Sequence, residues 1–200
     1  MIKSALIQGA SRGIGLQMCR YLLSKQTSVI ATCRDPSKAQ ELSQLKIDYG
    51  DLLSIHRVDV LDENQMSEVA VSVGDTKLDL LVNCAGMLHP SGKGETSLRE
   101  VDLRSLQTTL ATNALGPLIM AKHFSPKLTK RTSADKNALA GILVNISARV
   151  GSISDNALGG WYSYRMSKSA LNMATKNLSI ELGRKQIGRA SCRERVCQYV

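Results

Sequence analysis

Aromatic side chains are scarce in this chain: one Phe, one Trp and five Tyr, 4% of 200 residues. A core must therefore be aliphatic, and the 43% hydrophobic content supplies the material for one. Proline is rare too, at four residues. The five cysteines form no CxxC pair and stand in no metal-like spacing with histidine, so no metal site is expected. Cys19, Cys33 and Cys84 fall in apolar contexts and read as small buried residues, which suits a reducing compartment. No apolar run approaches membrane-spanning length. No charged segment followed by a long apolar stretch opens the chain, so no signal peptide is expected. A cytoplasmic protein without a membrane partner is the expectation. Acids are outnumbered, 17 against 26 Lys and Arg, for a net charge of +9. Those cations form no block and interleave with no aromatics, which argues against a nucleic-acid partner. They suit a solvated basic surface or an anionic cofactor.

What is present is an alternation. Apolar segments "SALIQG" (4–9), "SVIATC" (28–33), "LLSIHRVDV" (52–60), "LDLLVNCAG" (78–86) and "AGILVNIS" (140–147) read as strands. Between and after them, 13–25, 36–50, 62–74, 103–128 and 163–183 carry helical periodicity. Pro117 and Pro126 predict a kink or break within 103–128. The polar stretch 130–141 reads as a surface loop. Strands alternating with helices predict an α/β, doubly wound Rossmann-type parallel sheet in three layers. Near-continuous apolar strands fit a sheet covered on both faces.

The first strand runs into "QGASRGIGL" (8–16), where Gly9, Gly13 and Gly15 let the backbone turn tightly and approach a pyrophosphate. The helix that follows offers free N–H groups to an anion. The spacing is G-x-x-x-G-x-G rather than G-x-G-x-x-G. The second strand ends in Arg34 and Asp35. An acid there would hold a ribose 2′-hydroxyl, and an arginine would meet a 2′-phosphate. Arg34, with Arg12 approaching from the glycine loop, favours NADP over NAD. Further on, "YSYRMSK" (162–168) sets Tyr164 and Lys168 four apart on one helix face. An ammonium beside a phenol favours the phenolate, which makes tyrosine a usable acid or base near neutral pH.

Together with "VDV" (58–60), "NCAG" (83–86), "LATNALGPL" around Asn113 and "ILVNIS" (142–147), these motifs resemble the short-chain dehydrogenases/reductases along residues 3–186. Within that family, "ATCRDPSKAQEL" and "GWYSYRMSKSALNMATKNLSIEL" resemble the C-factor and sniffer-like carbonyl reductases. The resemblance implies an NADP(H)-dependent oxidoreductase acting on a small carbonyl or alcohol, with dimerisation through helices 103–128 and 163–183. It implies a cofactor-binding loop of Gly9, Ser11, Arg12, Gly13, Ile14 and Gly15, with Arg34 at the ribose. Asp59 and Val60 would meet the adenine, and Asn83, Ala85 and Gly86 would line the cleft. Tyr164 would protonate the carbonyl oxygen, Lys168 would hold the nicotinamide ribose, and Asn113 would anchor a water leading to solvent. Two positions depart from the family. Cys84 replaces an asparagine, and Ala148 occupies the place of the substrate-orienting serine, leaving its neighbour Ser147 as the candidate hydroxyl, with Ser152 or Ser154 as further candidates. Ala148 also keeps open a non-catalytic dinucleotide-binding or signalling protein on the same fold.

After Gln186 the family pattern stops: no apolar strand and no Pro-Gly turn follow. "IGRASCRERV" can be encoded by ATCGGAAGAGCGTCGTGTAGGGAAAGAGTG, which looks like a short-read sequencing adapter. The expectation is an incomplete domain over 1–186, a non-family, artefactual tail over 187–200, and a fifth strand left as an open sheet edge. Poor stability and little activity follow from that expectation.

Overall fold

The protein is described here by a computed structural model, which covers residues 2–130, 140–184 and 190–192. β1 (Ser4–Gln8) lies near the middle of a six-stranded sheet of order β3-β2-β1-β4-β5-β6. The other strands are β2 (Ser28–Cys33), β3 (Leu53–Arg57), β4 (Leu80–Asn83), β5 (Ile142–Asn145) and β6 (Ala190–Cys192). Every pairing is parallel. Residues of β1 alternate between the two faces. Ala5 and Ile7 join the apolar cluster beneath α1 (Gly13–Ser24) and α2 (Gln40–Tyr49). Leu6 joins the opposite cluster beneath α3 (Glu63–Ser72), α5 (Gly116–Phe124) and α6 (Tyr162–Arg184). The largest buried side chain is Phe124, the chain's single phenylalanine, surrounded by aliphatic residues as the composition requires.

Local differences from the sequence reading have physical causes. The segment 36–50 is not one helix: Asp35 caps a 3₁₀ turn at Pro36–Lys38, and α2 begins only at Gln40. The stretch 103–128 does not break at Pro117. α4 (Leu103–Leu110) passes through a π turn at Ala111–Leu115 straight into α5, with Pro117 in the first turn of α5. Proline has no N–H for the carbonyl of Asn113, and the wider turn just before it accommodates that loss. Pro126 lies in the 3₁₀ turn Ser125–Lys127 that ends the rod. Most of the polar loop expected at 130–141 lies outside the described residues.

The sequence reading has no strand after the last helix. The structure has β6, paired in parallel with Leu143–Asn145, so the described edge of β5 is covered over that stretch. Backbone groups alone make such a ladder, which is why no apolar period announces it. The rest of 187–200 lies outside the described residues.

Under the carboxyl ends of the strands runs a buried polar chain. Asn83 Nδ2 donates to Asn145 Oδ1 at 2.7 Å and approaches Pro117 O at 3.4 Å. Asn145 Nδ2 donates to Thr175 Oγ1 at 2.8 Å, and that hydroxyl donates to Leu171 O at 2.7 Å. The chain ties β4, β5 and α6 together where an aliphatic core would leave their relative rotation less defined. Asn145→Leu, close in volume, strands the Asn83 amide without its acceptor. It should lower the unfolding free energy by about 1–3 kcal/mol, read from urea denaturation midpoints against wild type.

Candidate active site

The strand order reverses between β1 and β4, which opens a crevice at the carboxyl ends of those strands. Both loops that line it are packed to the limit. Gly9 has φ +81°, and a Cβ on it would lie 2.6 Å from the Ala85 nitrogen. Buried Gln8 fastens the same contact by accepting the Ala85 N–H at 3.0 Å. A Cβ on Gly15 would run into the Gly9 carbonyl oxygen, so α1 can approach the loop only through glycine. Gly13 is the opposite case: φ is +58° and nothing stands within 4 Å of the place a Cβ would take. α1 starts there with no acid in its first turn, Arg12, Gly13 and Ile14 are exposed, and Ser11 is half-buried. Free amides, an open glycine and no competing carboxylate fit a dinucleotide pyrophosphate.

At the far end of the crevice, Arg34 is exposed after β2. Asp35 beside it is engaged locally. Its carboxylate accepts from the Ser37 amide at 3.2 Å and the Ser37 hydroxyl at 2.6 Å, and pairs with Lys38 Nζ at 2.9 Å. Lys38 first, then Ser37, holds the Asp35 carboxyl down to about 2. Asp59 turns inward on its own loop, where Oδ1 accepts the Leu61 amide at 3.0 Å. Val60 is buried against Gly116 of α5. Of the three cleft residues expected after β4, Ala85 abuts Gly9 and Gly86 is exposed, but Asn83 lies beneath the cleft in the buried polar chain.

α6 brings Tyr164 and Lys168 to the near end. Lys168 is buried, donates to Ile146 O at 2.8 Å, and holds its ammonium 5.6 Å from the centre of the Tyr164 ring. The π turn delivers Asn113 beside them. Its Oδ1 accepts the Met87 amide at 2.8 Å, and its Nδ2 donates to Met87 O at 2.7 Å and Ser167 Oγ at 2.9 Å. Gly86 fits between the groups: a Cβ there would sit 3.2 Å from Asn113 Oδ1 and 3.7 Å from Lys168 Nζ. Cys84 borders this cluster; burial pushes its thiol up to about 12 although the Lys168 charge pulls it down, so it stays a neutral thiol. Ser147 is buried, and its hydroxyl donates to Asn172 Oδ1 of α6 at 2.7 Å. Ala148 next to it is extended and leads into the 3₁₀ turn Arg149–Gly151.

A model of the short chain dehydrogenase family matches residues 3–192. The chain belongs to this family. Among solved structures, the carbonyl reductase Sniffer of Drosophila melanogaster is similar at a TM-score of 0.84 and 31% identity, covering 94% of this chain and 78% of that one. An NADPH-bound carbonyl reductase from chicken fatty liver follows at 0.81 and 32%, covering 93% and 73%. C-signal of Myxococcus xanthus is 37% identical over 117 residues, 58% of this chain and 64% of that protein. The resemblance within the short-chain dehydrogenases therefore runs to the carbonyl reductase branch.

Sequence reasoning missed several residues that shape the site. Gln8, Asn145 and Thr175 have a readable signal, since polar residues on apolar strands and helix faces have to find partners. Glu95 and Trp161, which sit at the start of α6, have none in their local sequence. Gly9→Ala meets both the Ala85 backbone and an unfavourable φ. It should cost about 1–3 kcal/mol of stability and weaken dinucleotide binding, whereas Gly13→Ala, with open space, should cost only its conformational share. Thermal melts and NADPH fluorescence titration of the two variants separate these outcomes.

Proposed function

We propose that this short-chain dehydrogenase is an NADP(H)-dependent carbonyl reductase with Tyr164 as its acid/base. The observation that carries the reading is the convergence of Tyr164, Lys168 and Asn113 at one end of a crevice whose other end offers free amides and Arg34. Bound there, NADPH supplies the hydride for the carbonyl carbon. Tyr164 then gives its phenolic proton to the carbonyl oxygen. Lys168, fixed by Ile146 O and close to the phenol, favours the phenolate left behind. Asn113 braces Met87 and the helix at Ser167, and keeps the lysine side of the site in place. Ser147 enters through Asn172 rather than as a hydroxyl offered to substrate. Asp35 is engaged with Ser37 and Lys38, which leaves Arg34, with Arg12, to meet a 2′-phosphate. The NADP-bound and NADPH-bound carbonyl reductases among the structural neighbours support the same cofactor. Exposed Tyr162, Met166, Met173 and Ile180 form a stripe along α6 that suits pairing of two copies.

Tyr164→Phe should lower NADPH-dependent reduction of a carbonyl panel by about 10²–10⁴-fold with NADPH binding retained. Wild-type NADPH binding without turnover on any carbonyl would instead point to a dinucleotide-binding or signalling role, the reading that Ala148 favours. Arg34→Ala should weaken NADPH binding about tenfold or more and leave NADH binding unchanged. Equal effects on both cofactors in a paired titration would remove Arg34 from the 2′-phosphate.

A further inference from the structure

α6 begins without a cap of its own. Trp161 accepts the first helical bond, from the Arg165 amide to its carbonyl at 2.8 Å, and so occupies the N-cap position. Its side chain has no oxygen to satisfy the free amides of the first turn. Glu95, 68 residues before Ser163 in sequence, supplies what is missing. Its carboxylate accepts the Ser163 amide, with Oε1 at 3.2 Å, and also the Ser163 hydroxyl. Its main-chain carbonyl accepts the Trp161 amide at 2.6 Å. The Glu95 side chain is 1% exposed. Burial pushes its carboxyl up, but the Ser163 hydroxyl, the amides of Glu95 and Ser163, and nearby His89 outweigh this, and the net direction is down. His89 Nε2 stands 3.8 Å from Oε1, buried and without a hydrogen bond of its own among the described residues.

The consequence reaches the chemistry. Trp161 follows Gly159 and Gly160, all three at positive φ, and is itself at +49°. Its indole lies flat on Gly94, where a Cβ would come within 2.5 Å of the ring. The same indole meets the Tyr164 ring edge-on, 6.3 Å between centroids. Ser163 is the residue before Tyr164. We propose that Glu95 is a positioning residue for Tyr164: it is a helix cap borrowed from the loop after β4, and it sets both the first turn of α6 and the aromatic wall of the site. A carboxylate at a helix N-terminus also meets the positive end of the helix dipole, which favours its burial there.

Trp161 is the single tryptophan of the chain, so its fluorescence reports on this turn directly, without cofactor or substrate. Acrylamide quenching, compared among wild type, Glu95→Ala and Glu95→Gln, tests the cap. From its 41% exposure the indole should move towards full exposure in Glu95→Ala, raising the quenching constant about twofold. Glu95→Gln keeps an acceptor oxygen and should stay near wild type. In turnover assays, kcat should fall about tenfold in Glu95→Ala with KM for NADPH unchanged, and recover in Glu95→Gln. Wild-type quenching in a folded Glu95→Ala chain overturns the proposal, as does a glutamine variant as perturbed as the alanine one. If Glu95→Ala does not fold, Glu95→Asp decides: the shorter carboxylate withdraws from Ser163 and should show the same losses, and wild-type behaviour rejects the cap. The kcat arm rests on the carbonyl reductase reading and the fluorescence arm does not. Absence of wild-type turnover therefore counts against that reading while quenching still decides Glu95.

Discussion

The closeness of two loops governs the carboxyl end of this sheet. Gly9 and Ala85 meet with no room for a side chain between them, and Gln8 clips the contact shut. α1 in turn reaches the glycine loop only because Gly15 presents no Cβ to the Gly9 carbonyl. From Ala85 it is one residue to Gly86, which touches the space of both Asn113 and Lys168. The glycine loop and the cluster of Asn113, Tyr164 and Lys168 are therefore not separate modules. A shift in one is transmitted over a few residues of backbone that have no slack to absorb it.

The polar chain beneath the cleft solves a different problem. A long helix lying on an aliphatic sheet can rotate or slide with little change in buried area. Thr175 fixes α6 to Asn145 about three turns from Tyr164. With Lys168 held by Ile146 O, Ser147 held by Asn172 and Ser167 held by Asn113, the helix is anchored by polar bonds over several turns. Position is set by directional bonds, and cohesion by the apolar residues around them.

Much of this was legible in the sequence. The strand and helix alternation, the glycine loop and the Tyr164/Lys168 spacing depend on local periodicity and conformational preference. Those are properties of neighbouring residues, and they survived in the structure. What escaped depends on which partner a polar group takes, or on how a turn accommodates its residues, near in sequence or far. Asn83 was expected at the cleft and lies beneath it, because its amide pairs with Asn145 on the adjacent strand. The sequence shows an acid at Asp35 but not that its carboxylate bonds Ser37 and Lys38. Strand β6 carries no apolar period, so only its ladder with β5 reveals it. The proline at 117 suggested a break, but the structure shows a widened turn one step earlier.

That widened turn has a consequence for how the chain can tolerate length changes. A π turn holds one residue more than an α-helical path through the same span. Deleting a single residue between Leu103 and Asn113 either collapses the widened turn into regular α-helix or, with the turn kept, rotates one half of the rod against the other by about 100°. The first outcome removes the turn that delivers Asn113 to Met87 and Ser167, and the second turns a different side of α4 toward α6. Insertions and deletions are therefore restricted here by helical phase, in a segment where side-chain substitutions alone would look permissible.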